Sequence, residues 1–160
     1  MTDLTIEKVW TEGDTTCVAI INHLVGARNG YCSVSESNPL YKKSYKSKSI
    51  SDLGTAITDV LRVHGGVTYS GDLSWAVELD NKIPKDTWWF GFDCSHYTDS
   101  PDPDLFSEPS FCEDYMHGVV RDLPYVVKEC VLLADQLGRL AKNYTRCVID
   151  KSKFKIHSVS

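Results

Sequence analysis

Closely spaced cysteines are missing from this chain. Six are present (17, 32, 94, 112, 130 and 147), but no two lie nearer than fifteen positions, which excludes a Cys-x-x-Cys metal or redox motif. No apolar run approaches the roughly 20 residues that cross a bilayer, so no membrane span is expected. Residues Met1 to Lys8 have neither the basic start nor the apolar core of a signal peptide. A cytosolic protein with reduced thiols is therefore expected rather than a secreted disulfide scaffold, and Cys17 and Cys130 fall in apolar patterns that suit small buried side chains. Gly-x-x-x-x-Gly-Lys and Gly-x-Gly-x-x-Gly are absent, which removes the standard nucleotide-binding loops, and so is the nucleophile-elbow serine. No cofactor is expected, and no internal repeat is visible. Lysine and arginine are absent from residues 86–120, a stretch that holds eight acids. Since the net charge is −5, the rest of the chain carries an excess of three positive charges. Such a block repels DNA and attracts cations, metal ions or a basic surface.

What remains is an ordinary globular composition, 42% hydrophobic and 24% charged over 160 residues, read as one domain spanning 1–160 that buries about two thirds of its unfolded surface. Glu7–Trp10 and Thr15–Asn22 read as a hairpin around Thr11-Glu12-Gly13-Asp14, with Gly30–Val34 as a further strand. A short helix is expected over about 51–62, ending at His64-Gly65-Gly66. Val67–Ser70 reads as a strand, Trp75–Leu79 as another, and 97–118 as a long irregular loop. Asp122 caps the clearest helix, about 122–142, whose apolar stripe is Val126, Cys130, Leu133, Leu137, Leu140 and Ala141. Cys147–Ile149 and Phe154–Ile156 suggest a last hairpin or edge strand. The fold class is α+β, a mostly antiparallel sheet covered by the long helix and the shorter one.

Trp88 to Asp99 is the most informative segment. Strand alternation puts Trp88, Phe90, Phe92 and Cys94 on a core face and Trp89, Gly91 and Asp93 on the other. That second face then offers an indole, a gap without a side chain and a carboxylate in a row, with His96 and Asp99 just beyond. Asp93, His96 and Asp99 recur at intervals of three and share a face if the segment turns helically. They suit acid–base work with Asp93 orienting His96, a divalent metal, or a hydrogen-bonded pair that pins the loop. His64, Gly65 and Gly66, followed by Tyr69, form a second constellation: the glycines either let backbone approach an anion or make a tight turn. Lys42, Lys43 and Lys46, interleaved with Tyr41 and Tyr45, either grip phosphate or form a solvated loop.

Several blocks recur in order in a known family: Asn38-Pro39-Leu40-Tyr41, Val63-His64-Gly65-Gly66-Val67-Thr68-Tyr69-Ser70-Gly71, Trp88 through Asp99, and Arg121-Asp122-Leu123-Pro124-Tyr125-Val126 with Glu129-Cys130 and Leu133-Ala134-Asp135-Gln136-Leu137. Over about residues 20–140 the chain resembles small, largely uncharacterised proteins encoded by bacteriophages and prophages. The family usually carries His before Pro-Leu-Tyr where this chain has Asn38, which weakens any ligand role there. The resemblance implies a phage origin and the cytoplasm of an infected bacterium; it implies no established activity. Small phage proteins without an enzyme motif are often counter-defence factors, among them sponges that sequester nucleotide second messengers.

Three functions follow as expectations. In the first, a homo-oligomeric sponge captures a nucleotide-like small molecule: Trp89 stacks on the base, Asp93, His96 and Asp99 bond its polar edge, and His64, Gly65, Gly66, Tyr69, Lys42, Lys43 and Lys46 complete the site. In the second, Asp93, His96 and Asp99 are catalytic in a metal- or His-dependent hydrolase of a similar compound. In the third, the acidic 99–114 loop inhibits a basic host protein.

Overall fold

Four consecutive residues, Val18 to Ile21, are buried together with Cys17 before them. A strand with both faces hidden needs cover on both sides of its sheet, and the computed structural model provides it. It describes residues 3–46, 60–106 and 118–159, with side chains as far as 143. Strands β1 (Leu4–Glu12), β2 (Thr15–Asn22), β3 (Ala27–Val34), β4 (Tyr69–Gly71) and β5 (Trp88–Asp93) form one antiparallel sheet in the order β1-β2-β3-β5-β4. Helix α1 is Ser74–Leu79, and α2 is Leu123–Val159. A two-residue parallel pair, β6 (Asp99–Ser100) with β7 (Val119–Val120), ties the loop after β5 to the approach of α2. The α+β class expected from sequence is what the chain adopts.

One sheet face carries Cys17, Ala19, Cys32, Val34, Phe90, Phe92 and Cys94 against Val126, Cys130, Leu133, Ala134, Leu137 and Leu140 of α2. The helical stripe is as its spacing dictates, and Asp122 starts it by accepting from the Tyr125 N–H at 3.0 Å. The other face holds Val18, Ile20 and Trp89 beneath Leu73, Ala76 and Ile83. Cys17, Cys32, Cys94 and Cys130 are free, buried thiols.

Three expectations need correction. Trp75–Leu79 is helical, not extended: Ala76 and Val77 stand three and four positions after Leu73, a helical interval, and the Asp72 carboxylate accepts from the Ser74 N–H and hydroxyl. No hairpin follows the long helix. No Gly or Pro lies between Gly138 and the chain end, so nothing interrupts α2, which runs on to Val159. Among its described residues, the loop expected to be irregular after β5 holds β6 and a 3-10 turn at Pro103–Leu105. Most of the helix expected over 51–62 lies outside the described residues; Val60 is helical and Leu61 is buried against α2's face of the core.

Candidate active site at the end of β5

The chain leaves β5 through a compact turn. Asp93 accepts from the Ser95 N–H at 3.1 Å, Asp99 N–H donates to the His96 carbonyl at 2.9 Å, and the His96 N–H returns a bond to Asp99 Oδ2 at 3.0 Å. The interval of three therefore does bring Asp93, His96 and Asp99 together. His96 Nδ1 lies 3.7 Å from Asp93 Oδ1 and 3.5 Å from Asp99 Oδ2. It bonds to neither, and among the described residues it is the buried side-chain nitrogen or oxygen that has no hydrogen-bond partner. Thr68 holds the other oxygen of Asp93 at 2.9 Å.

His64 arrives from the segment before β4. Gln136 on α2 fixes that segment by treating Arg62 as a strand neighbour, accepting from its N–H at 2.6 Å and donating to its carbonyl at 2.7 Å. The chain then turns through Gly65 and Gly66, at φ +66° and +85°, where a side chain is strained. The glycine pair is thus a turn, and the Gly66 N–H is engaged by the Val63 carbonyl rather than offered to an anion. Gly65 has a second requirement: a Cβ there would sit 2.1 Å from Cε1 of His96, whose ring lies against the bare backbone.

The imidazole of His64 joins the two halves of the cluster. Its Nε2 meets Asp99 Oδ2 at 2.8 Å and its Nδ1 meets the Tyr125 hydroxyl at 2.7 Å. Tyr125 also donates to Glu129 one helical turn on, at 3.2 Å. Arg121 donates from Nε to the other Asp99 oxygen at 2.8 Å and lies over the Tyr125 ring. The Asp99 side chain is 1% exposed, that of His64 9% and that of His96 31%. Burial pushes the Asp99 carboxyl up, but bonds from His64, Arg121 and the His96 N–H together hold it below its ordinary 3.8. Burial next to Glu129 raises the Tyr125 phenol. Burial, with Asp99 and Asp93 nearby, pushes the Cys94 thiol up to about 12, so it is a core side chain and no nucleophile.

Other expected site residues lie elsewhere. Trp89 is 1% exposed and sealed under α1. It cannot stack on a ligand, because the helix that covers it occupies the segment expected to be a strand. The gap at Gly91 is filled by Tyr31, whose ring would meet an added Cβ at 2.4 Å. Tyr69 pairs across the sheet with Gly91, packs edge-on to Tyr31 and gives its hydroxyl proton to the Asp72 carbonyl. The lysine loop meets the wrong end of β5: the Lys43 carbonyl accepts from the Trp88 indole, five residues and about 17 Å of strand from Asp93. Lys42 and Lys46 lie over the rings of Tyr41 and Tyr45. A separate cleft of about 1290 Å³ opens between α2 and the β1–β2 turn, lined by Asp14, Ser35, Asn38, Asp135 and Arg139 among others. It contains none of the His-cluster residues, and Asn38 in it serves to cap its own turn, accepting from the Leu40 N–H.

Arg121, Tyr125 and Glu129 had no assigned role in the sequence. The available signal was local: Arg121 is the first base after the acidic stretch, and Tyr125 and Glu129 stand one turn apart on a helix. Comparison of the chain with protein-family models, curated proteins and solved structures returned no match. No helix among the described residues is long and apolar enough to cross a membrane.

Proposed function

We propose that this chain hydrolyses a small, phosphate-bearing, nucleotide-like compound at the cluster of His64, His96 and Asp99. The observation that carries this reading is the state of Asp99, a sealed carboxylate held by His64 and Arg121 with an unpartnered imidazole nitrogen 3.5 Å away. Hydrolytic sites place a titratable group at the solvent edge and fix it from behind with buried neighbours. His96 has the edge position. Gly65, Asp93 and Asp99 surround it, His64 and Arg121 hold Asp99 in turn, and Tyr125 holds His64. Arg121 keeps its charge at every working pH and favours a phosphate or carboxylate.

Sequestration without turnover is the rival reading. Burial of Trp89 removes its stacking platform, leaving it only the hydrogen-bonding groups that hydrolysis also uses. An acidic inhibitor is supported less, since Asp99 points inward and Asp102 pairs with Arg28; residues 107–114 lie outside the described residues. On the phage resemblance, the substrate belongs to the infected bacterium and the activity removes a nucleotide signal there.

The test is incubation of purified protein with a panel of mono-, di- and cyclic nucleotides, followed by chromatography. Product formation that falls at least about 100-fold in His96→Ala is expected, the usual scale of acid–base contributions. A nucleotide retained and recovered intact after heating would favour the sponge instead.

A further inference from the structure

We infer that His64, His96 and Asp99 bind a single divalent transition-metal ion. This deepens the proposed activity, because it places a cofactor at the same cluster, but it does not depend on the substrate.

The three side chains each offer one donor atom, and these atoms all lie within 4.8 Å of one another. Two of the separations are 2.8 Å, from His64 Nε2 to Asp99 Oδ2, and 3.5 Å, from His96 Nδ1 to the same oxygen. Ligands about 2.0–2.1 Å from a zinc-sized ion in tetrahedral array stand ~3.3 Å apart, so an ion enters with movements of side chains alone. Two imidazoles and one carboxylate leave coordination positions open for water or substrate, the arrangement of catalytic rather than structural sites.

The hydrogen-bond pattern gives independent support. Tyr125 has one hydroxyl proton, and when it goes to Glu129 the phenol oxygen must accept from His64 Nδ1–H. That tautomer turns the lone pair of Nε2 toward Asp99, where a proton or a cation must lie between the two acceptors. Histidine ligands are commonly held this way, with the second ring nitrogen bonded to an outer group. Arg121 likewise occupies Asp99 Oδ1 and leaves Oδ2 facing the imidazoles. His96 Nδ1 supplies the clearest sign. A buried nitrogen without a hydrogen bond is costly, and a metal ion is the partner that its position beside Oδ2 suits. Asp93 Oδ1, 3.7 Å from the same nitrogen, adds negative charge around a cation.

The sequence alone suggested Asp93, His96 and Asp99 as a metal trio. The structure replaces Asp93, which is bonded to Thr68 and Ser95, with His64 from a segment about thirty residues earlier.

The experiment titrates chelator-treated full-length protein with Mn(II), Co(II) and Zn(II), read by calorimetry and, for Co(II), by visible absorption. About one ion per chain is expected, with a rise in melting temperature. His96→Ala should lose at least about 100-fold in affinity. Tyr125→Phe, which keeps all three ligands, should lose about 10–100-fold, as outer-group substitutions do. Folded wild-type protein that takes up none of the three ions overturns the inference, as does binding that His96→Ala and His64→Ala both leave intact. Metal uptake without turnover of any nucleotide sinks the proposed hydrolysis and leaves the site standing. Turnover that survives a chelator, with no metal bound, does the reverse.

Discussion

His64 and Asp99 meet at 2.8 Å although thirty-five positions separate them, and their contact joins the segment before β4 to the loop after β5. Because Asp99 is held below its ordinary 3.8 by three donors that outweigh its burial, its contribution to stability has a definite sign. It is fully present above about pH 4 and disappears as pH falls through the lower folded value. In chelator-treated protein, Asp99→Asn should flatten the pH dependence of the urea midpoint below pH 4. Asp99→Ala at pH 7 should destabilise by about 3–5 kcal/mol, the usual effect of removing one partner from a buried ion pair. An Asn variant whose acid profile matches wild type would show that the carboxylate is not the group titrating.

Gly65 and Gly66 provide a matched pair of substitutions. Both have positive φ, so alanine costs about 1–2 kcal/mol of backbone strain at either. Only at Gly65 would the new methyl strike His96; at Gly66 nothing lies within 4 Å. Gly65→Ala should therefore abolish metal uptake and turnover, while Gly66→Ala should lose similar stability and keep most of both. Thermal melts and metal titrations of the two variants, compared side by side, decide it. Equal loss of uptake would mean that the turn, not the ring contact, matters.

Trp89→Ala should unfold the protein more readily rather than weaken a binding site. Truncating a fully buried tryptophan costs about 3–5 kcal/mol, and here the void would open between β5 and α1. Denaturant midpoints by circular dichroism provide the measure. A variant of unchanged stability with weakened ligand capture would restore the indole to the recognition site.

Arg28 is a buried cation that the sequence left unremarked. From β3 it grips Glu7 through Nε and a terminal nitrogen, at 2.8 and 3.1 Å, and reaches Asp102 at 3.4 Å and the Arg121 carbonyl at 3.2 Å. One side chain thus links β1, the loop after β6 and the residue that supports Asp99. Arg28→Ala should cost about 3–5 kcal/mol. Arg28→Lys should recover less than half of that, since an ammonium cannot reproduce the two-pronged contact. Urea denaturation of both variants distinguishes this from a simple need for positive charge.

Local pattern and long-range closure differ in how well they could be read from the residues. The continuous apolar runs of β2 and β5 and the stripe from Val126 to Leu140 are local sequence patterns, so the sheet and its main helix were legible. The interval of three in Asp93, His96 and Asp99 brings those side chains near one another through a turn rather than a helix, and a turn is a local event. Trp89 was misread because its exposure depends on what Leu73, Ala76 and Ile83 do, and those residues belong to a segment whose mixed apolar pattern resembles a strand. Nothing in a linear pattern shows that Arg28 would find Glu7, or that a lysine-rich loop would dock at Trp88 instead of Asp93. His64 could be named as a candidate, but its pairing with Tyr125 needs α2 to lie across the sheet.

The parallel contact of Asp99–Ser100 with Val119–Val120 has a consequence for how the molecule is made. Arg121, Tyr125 and Glu129 all lie downstream of it, so a growing chain that has emerged only as far as β6 has both histidines and Asp99 without Arg121, which holds the carboxylate, and without Tyr125, which holds His64. The cluster can be completed only after residue 129 has left the ribosome. Any shortened form ending before that point would also lack Cys130, Leu133 and Leu137, which cover one face of the sheet, so truncation removes part of the core together with the groups behind the imidazoles.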